Sequence, residues 1–152
     1  ETFYMSSLIV NIVKRFEITA KNENINLVYE PSVLIPQFSG DRDAIEQVVV
    51  NIISNAIKYT SANGKVTVST GKMYKSVYIK IKDNGIGIPK DDLPHIFERF
   101  YRVDKARSRE KGGTGLGLAI SKDIITAHGG TITINSEYGI GTEVIIILPV
   151  TN

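Results

Sequence analysis

Gly112-Gly113-Thr114-Gly115-Leu116-Gly117-Leu118 runs glycines directly into an apolar stretch that reads as a helix over Leu116–Ala127. A helix start presents unpartnered backbone N–H groups and the positive end of the helix dipole, so it holds anions. Glycines keep side chains out of that approach. A flexible hinge is the alternative, but hinges rarely open straight onto an apolar helix. The spacing is not a Walker loop, because no G-x-x-x-x-G-K-[ST] occurs. Nor is it a dinucleotide fingerprint, since the pattern is G-x-G-x-G and no tight βαβ unit surrounds it. What remains is phosphate cradling by another fold, and the flanking segments say which.

Downstream, Gly129-Gly130 stops the helix as a left-handed cap would. Thr131–Asn135 and Glu143–Leu148 read as strands joined at Gly139-Ile140-Gly141. His128 closes the helix, where a cation suits the dipole, and its reading is structural. Upstream, residues 84–114 are rich in glycine, proline and charge and lack a long apolar period. A segment of about 30 residues of this kind in a small domain reads as a functional lid or as disordered chain. A short apolar helix, Leu93–Phe100, interrupts it. Its cations Arg99, Arg102, Lys105, Arg107, Arg109 and Lys111 suit a cover over a polyphosphate, or an ordinary solvated charge run.

Further upstream, Lys65–Thr70 and Val77–Lys82 read as strands, with a hairpin turn at Gly71-Lys72 and the residues after it. Asp41 reads as the N-cap of a long helix whose apolar stripe is Ala44, Ile45, Val48, Val49, Ile52, Ile53, Ala56 and Ile57. Ser61-Ala62-Asn63-Gly64 ends it. Ile25–Tyr29 reads as a strand, and Pro31 and Pro36 bracket a turn or bent edge. Residues 5–20 carry helical spacing in Leu8, Ile9, Ile12, Val13, Phe16 and Ala20. Consecutive strands with short turns favour an antiparallel or mixed sheet. The helices then cover one face, giving an α+β, two-layer α/β sandwich with three helices.

The bulk numbers agree with one such domain. The chain has 152 residues, 42% hydrophobic and 22% charged, with net charge +2 and no cysteine. That charge is too small to argue for nucleic acid. The missing cysteines exclude disulfides and thiolate chemistry. No apolar run approaches the roughly 18 residues of a membrane helix. The start, Glu1-Thr2-Phe3, lacks an initiator Met and reads as a piece of a longer protein. With two histidines far apart, a His-based metal site is not expected.

Two further groups carry chemistry. Asn51, Asn55 and Lys58 fall within about 60° of one another on the long helix. Two neutral oxygen ligands and a cation suit hydrated Mg²⁺ and phosphates, although a solvated helix face also fits. Asp83-Asn84-Gly85-Ile86-Gly87-Ile88-Pro89 follows a strand. Its glycines let the backbone approach a flat ligand, and Asp83 suits an exocyclic amine such as that of adenine. A turn with an Asx bond is the alternative.

Together these segments resemble the catalytic ATP-binding domain of two-component sensor histidine kinases, within the GHKL group. The resemblance covers the whole chain, in the family's order. Asn51-Ile-Ile-Ser-Asn55-Ala-Ile-Lys58-Tyr59 looks like the N box, and Asp83-x-Gly85-x-Gly87 like the first glycine box. Phe97-Glu-Arg-Phe100-Tyr101-Arg102 looks like the F box. Gly113-Thr-Gly115-Leu-Gly117-Leu looks like the second glycine box and Gly139-Ile-Gly141-Thr142 like the third.

The resemblance implies a Bergerat-type fold over residues 1–152, with an ATP lid at about 84–114, and it implies roles by position. Asn55 would hold Mg²⁺, with Asn51 nearby at the phosphates. Lys58 would contact phosphates and Tyr59 would stack on adenine. Asp83 would bind the adenine amino group, with Gly85, Gly87, Ile88 and Thr142 around the base. Arg102 would reach the β- or γ-phosphate. Gly113, Thr114, Gly115, Leu116, Gly117 and Leu118 would surround the phosphates, with Gly115, Leu116 and Gly117 offering backbone amides. Phe97 and Phe100 would anchor the lid. Relatives that hydrolyse ATP carry a Glu one turn before the metal Asn; here Asn51 stands there, and an amide accepts no proton at neutral pH. The resemblance therefore implies transfer of the ATP γ-phosphoryl group rather than hydrolysis. Neither His95 nor His128 fits the phosphoacceptor, so a histidine-bearing dimerisation domain is expected upstream of Glu1. Further expectations are a response regulator partner, no nucleic acid, and a membrane-anchored homodimer at full length with this chain monomeric. The location implied is the cytoplasmic side of a bacterial inner-membrane sensor kinase.

Overall fold

A computed structural model describes residues 1–32, 35–101 and 117–150. In chain order its elements are β1 (Thr2–Tyr4), α1 (Met5–Asn22), β2 (Asn26–Glu30), β3 (Gln37–Ser39) and α2 (Arg42–Lys58). There follow β4 (Lys65–Met73), β5 (Ser76–Asp83), a 3-10 turn (Leu93–His95), α3 (Gly117–Ala127), β6 (Thr131–Glu137) and β7 (Gly141–Pro149).

The helices form where apolar spacing and caps coincide. In α1, Met5, Leu8, Ile9, Ile12, Val13 and Ala20 are buried. In α2, Ile45, Val48, Val49, Ile52, Ile53, Ala56 and Ile57 are buried, as the stripe predicts. Asp41 is its N-cap: the side chain accepts the Ala44 N–H at 3.1 Å. That satisfies one of the donors a helix start leaves open, a contribution of about 1 kcal/mol. Asp43 in the first turn and Lys58 in the last complement the helix dipole.

The main sheet has the strand order β2-β4-β5-β7-β6. β2 pairs parallel with β4, and the remaining pairs are antiparallel. The sheet is thus mixed and largely antiparallel. Alternation along the strands sends Val66 and Val68, Val77, Ile79 and Ile81, Ile132, and Val144, Ile146 and Leu148 into one core with the buried faces of the helices. Tyr78, Lys80, Ile145 and Ile147 lie on the opposite face of the sheet. This is the expected two-layer sandwich. Among the described residues, no helix is long and apolar enough to cross a membrane.

Three features differ from the sequence reading. The hairpin turn falls at Tyr74-Lys75, because β4 and β5 pair as far as Met73 with Ser76. Gly71 stays in the strand: it faces Tyr78, and a Cβ on it would lie 2.4 Å from that ring. A second sheet, β1 with β3, joins Phe3 to Phe38, whose rings meet edge to face at 5.7 Å. The expected helix over Leu93–Phe100 shrinks to the 3-10 turn. From Pro89 to Tyr101 the recorded backbone bonds are mostly i to i+3, a chain of tight turns, and Phe100 takes φ +66°.

Candidate nucleotide site

The long helix α2 carries Asn51, Asn55 and Lys58, all half-buried at the edge of its apolar stripe. This face is not simply solvated, because α3 packs against it. Asn51 Nδ2 donates toward Ser121 Oγ at 3.4 Å. The first residue of α3, Gly117, sits so close that a Cβ on it would lie 2.6 Å from Asn51 Oδ1. A side chain at this position would displace the Asn51 amide, so glycine keeps the helix start and the Asn51 amide in direct contact. A cavity of about 260 Å³ opens between the two helices, lined by Gln47, Val50, Asn51, Ser54, Gly117, Ile120 and Ser121. It borders Asn51 and Gly117 but not Asn55, Asp83 or Thr142. Arg102, Gly113, Thr114, Gly115 and Leu116 lie outside the described residues.

At the other end of α2, Tyr59 is the C-cap, and its carbonyl accepts the Ile86 N–H at 3.0 Å. That bond ties the first glycine segment to the helix. Asp83 ends β5, half-buried. Its Oδ1 accepts Gly85 N–H at 2.8 Å and Thr142 N–H at 3.2 Å. Burial pushes its carboxyl above the ordinary value, and the two N–H bonds act in the opposite sense. The Asx bond and the proposed acceptor role coexist, because Oδ1 makes the turn and Oδ2 is the second acceptor of the same carboxylate.

The segment after Asp83 is held from the far side by the β6–β7 turn. Gly139 N–H donates to Ile86 O at 2.6 Å, and Ile88 N–H donates to Ser136 Oγ at 2.8 Å. Gly87 has φ +73°, and a Cβ on it would lie 2.1 Å from Glu137 O. This changes the reason for the glycine. The close approach it permits is to the protein's own turn; a flat ligand was the expectation. Thr142 Oγ1 contacts Ser136 Oγ at 2.8 Å beside Asp83. The candidate residues Asn51, Asn55, Lys58 and Tyr59 follow one another along α2 as one wall. Gly117 and Leu118 stand at one end of it, and Asp83, Gly85, Gly87, Ile88 and Thr142 at the other.

The F-box segment packs onto α3. Ile96 is buried, Phe97 packs against the core, and Lys122 Nζ lies 4.9 Å over the Phe97 ring. Phe97 thus packs inward, as an anchoring side chain would. Phe100 is 70% exposed and so is not one among the described residues. Arg99 pairs with Asp123 of α3 at 2.9 Å, both side chains being exposed. Lys105, Arg107, Arg109 and Lys111 fall outside the described residues.

His128 is structural in a way its position did not reveal. Its Nε2 accepts Asp41 N–H at 3.0 Å, and its Nδ1 lies 2.8 Å from Ile124 O. With Nε2 accepting, Nδ1 carries the proton, so the ring is a neutral clasp between the N-cap of α2 and the end of α3. The suggested cation at the helix dipole does not fit this bonding. Sequence reading also missed Ser121 and Ser136; only the packing of α3 on α2 and the register of β6 on β7 place them.

Residues 40–152 match the family described as histidine kinase-, DNA gyrase B-, and HSP90-like ATPase. The chain is 47% identical over 140 residues to sensor histidine kinase WalK of Bacillus subtilis (strain 168), an overlap covering 91% of this chain. It spans 23% of that relative's length. The solved catalytic domain of histidine kinase ThkA superposes with a TM-score of 0.87 at 31% identity, covering 99% of this chain and 95% of that one. Histidine kinase ThkA in complex with response regulator protein TrrA gives 0.82 at 29% identity, covering 99% of this chain and 42% of that one.

Proposed function

Since the chain belongs to the histidine kinase-, DNA gyrase B- and HSP90-like ATPase family, as a catalytic domain of the sensor histidine kinase type, we propose that it binds Mg·ATP and transfers the γ-phosphoryl group to a histidine of a separate dimerisation domain. The observation that carries this reading is the convergence of three segments. The Asn face of α2, the Asp83–Ile88 segment and the glycine start of α3 meet around one wall.

The base would sit at the Asp83 end. Asp83 and Thr142 offer acceptors to the exocyclic amine, and Tyr59, Gly85, Gly87 and Ile88 frame the ring. The phosphates would extend along α2 toward Gly117. Lys58 at the C-terminal turn of α2 would supply positive charge along that path, and the second glycine box, Gly113 to Leu118, would supply backbone N–H donors near Asn51. Arg102 would approach the β- or γ-phosphate from the lid, which we place at about 84–114.

The donor set also fits a magnesium ion. Asn55 is half-exposed, one turn from Asn51 on the face that α3 approaches, and offers a neutral oxygen to a hard cation that keeps most of its waters. Such an ion would neutralise phosphate charge at the reacting end of the nucleotide.

The chemistry then follows from what Asn51 is. An amide cannot take a proton from water at neutral pH, so this position does not activate hydrolysis. The nucleophile is the acceptor histidine nitrogen: its lone pair forms the bond to the γ-phosphorus. The bond to the β–γ bridging oxygen breaks, and ADP leaves with the added negative charge. Lys58 and Arg102 stabilise that charge, and Asn51 positions the phosphate end. By itself the domain would bind nucleotide and barely turn it over.

In the wider system the partners would be the dimerisation domain of the same kinase and a response regulator. The complex of ThkA with its regulator supports that reading. The full-length protein would be a membrane-anchored homodimer with this domain on the cytoplasmic side. The test is to incubate the domain with a purified cognate dimerisation domain and γ-labelled ATP. Acid-labile, base-stable label on the acceptor is expected. Tight ATP binding with no label would refute the transfer, and acid-stable label would point to a serine acceptor.

A further inference from the structure

We infer that Ser136 is a positioning residue that fixes the direction of the Thr142 hydroxyl, and so makes the base end of the site select a 6-amino over a 6-oxo purine. The inference rests on the nucleotide site proposed above and concerns a residue with no assigned role in it.

Strand register creates the arrangement. Ser136 on β6 pairs with Thr142 on β7, which pairs with Asp83 on β5. Two residues along, the same row reads Ile134, Val144 and Ile81, and its last two members are buried in the core. Ser136, Thr142 and Asp83 therefore form a polar row on the helix-covered face, at the end where the sheet meets the first glycine segment.

The hydroxyl protons can be counted. A serine hydroxyl has one proton and two acceptor positions. Ser136 Oγ has three recorded partners: Ile88 N–H at 2.8 Å, Gly141 O at 3.0 Å and Thr142 Oγ1 at 2.8 Å. The carbonyl of Gly141 can only accept, so the Ser136 proton goes to it. The amide of Ile88 can only donate, so it fills one acceptor position. The contact with Thr142 then has one solution, in which Thr142 donates and Ser136 accepts. The single Thr142 proton is thereby committed inward, and Thr142 faces a ligand with lone pairs alone.

Beside it stands the Asp83 carboxylate, whose Oδ1 already holds Gly85 and Thr142 N–H groups. An exocyclic amine brings two N–H donors to this pair of acceptors. A 6-oxo group brings lone pairs against lone pairs, with a desolvated polar group left unmatched. Of the two acceptors, only the Thr142 hydroxyl has a proton that can be turned outward, and Ser136 is what keeps it turned in.

The experiment is titration calorimetry with Mg·ADP and Mg·IDP, whose bases differ only at position 6 and the adjoining ring nitrogen. It uses the 152-residue chain, Ser136→Ala, Thr142→Val and the double variant. The wild-type chain is expected to prefer ADP. Ser136→Ala is expected to lower the ADP-over-IDP ratio by about five- to tenfold, chiefly through better IDP binding. In the Thr142→Val background the same substitution should leave the ratio unchanged, because its effect runs through that hydroxyl. An equal loss of both nucleotides in Ser136→Ala, with the ratio intact, would overturn the inference and leave Ser136 as a brace of the glycine segment. Should Ser136→Ala fail to fold, Thr142→Ser and Thr142→Val decide: the ratio should survive in the first and fall in the second, and equal ratios in the two would overturn the inference. Failure of the wild-type chain to bind either nucleotide would overturn the nucleotide site itself, a result distinct from an unchanged ratio.

Discussion

Gly87→Ala places a single methyl group where the first glycine segment meets the β6–β7 turn. The residue has φ +73°, and the added Cβ would lie 2.1 Å from Glu137 O, 2.8 Å from Glu137 C and 2.9 Å from Tyr138 Cα. All three atoms are backbone, so no rotamer change relieves the overlap. Alanine in the left-handed region costs about 1–2 kcal/mol. Ordinary contact requires the segment to retreat by roughly 1 Å. That retreat breaks or stretches the bonds from Gly139 N–H to Ile86 O and from Ile88 N–H to Ser136 Oγ. Each contributes about 1 kcal/mol. The total is about 3–4 kcal/mol, to be divided between folding and binding. If folding takes it all, Tm falls by about 6–16 °C. If the segment re-forms in a shifted position, Mg·ADP affinity falls by at least about 100-fold instead. Urea unfolding and calorimetry on the same variant give both shares, and their sum is the quantity expected. Gly139→Ala is the control: φ is +86° there, but nothing lies within 4 Å of its Cβ, so only the conformational cost of about 1–2 kcal/mol should appear. A Gly87→Ala chain with stability within about 0.5 kcal/mol of wild type and an unchanged ADP affinity would show that the glycine segment is not held against the β6–β7 turn as described.

Asp83→Asn keeps an oxygen for Gly85 and Thr142 but removes a charge whose burial raises the carboxyl pKa above 3.8. A raised carboxyl contributes stability that is fully present below the unfolded value and lost as pH rises through the folded one. The nucleotide-free variant should therefore match or exceed wild type in Tm at pH 7, with the advantage vanishing below pH 3.8, while adenine nucleotides bind less well. A lower Tm at pH 7 would contradict this assignment of the cause. Asn55→Asp should leave thermal unfolding within a few degrees and reduce transfer at least about 100-fold; an unchanged rate and magnesium dependence would remove Asn55 from the metal site. Gly117→Ala adds helix propensity of up to about 1 kcal/mol but pushes Asn51 away from Ser121. Tm should hold or rise while Mg·ADP affinity falls, and unaltered binding would show that the Asn51 contact is not part of the site.

The helices were legible because their signals are local. The α2 stripe and its Asp41 cap lie within adjoining turns, and both appear as read. The pairing of β1 with β3 was not legible, since strands of three residues have no periodicity and Phe3 meets Phe38 only through the tertiary fold. Gly71 looked like a turn residue because a sequence does not show that Tyr78 lies across from it. The stretch from Leu93 onward forms a 3-10 turn with Pro94 in its first turn and reaches a left-handed Phe100, and no feature of its apolar pattern marks that outcome. Of the proposed site, Asn51, Asn55, Lys58, Asp83 and Gly117 were singled out by spacing and glycine patterning. Ser136 was not: one serine in an alternating strand carries no signal until its neighbours across β7 are known.

On the proposed reading, one nucleotide site is built by α2, the Asp83–Ile88 segment, the start of α3 and Thr142. Amide chemical-shift mapping of the ¹⁵N-labelled chain during titration with Mg·ADP tests it most directly. Saturable shifts are expected at Asn51, Asn55, Tyr59, Asp83, Gly85, Ile88, Gly117 and Thr142. Shifts confined to the open face of the sheet around Tyr78, Lys80, Ile145 and Ile147, with those residues silent, would contradict it.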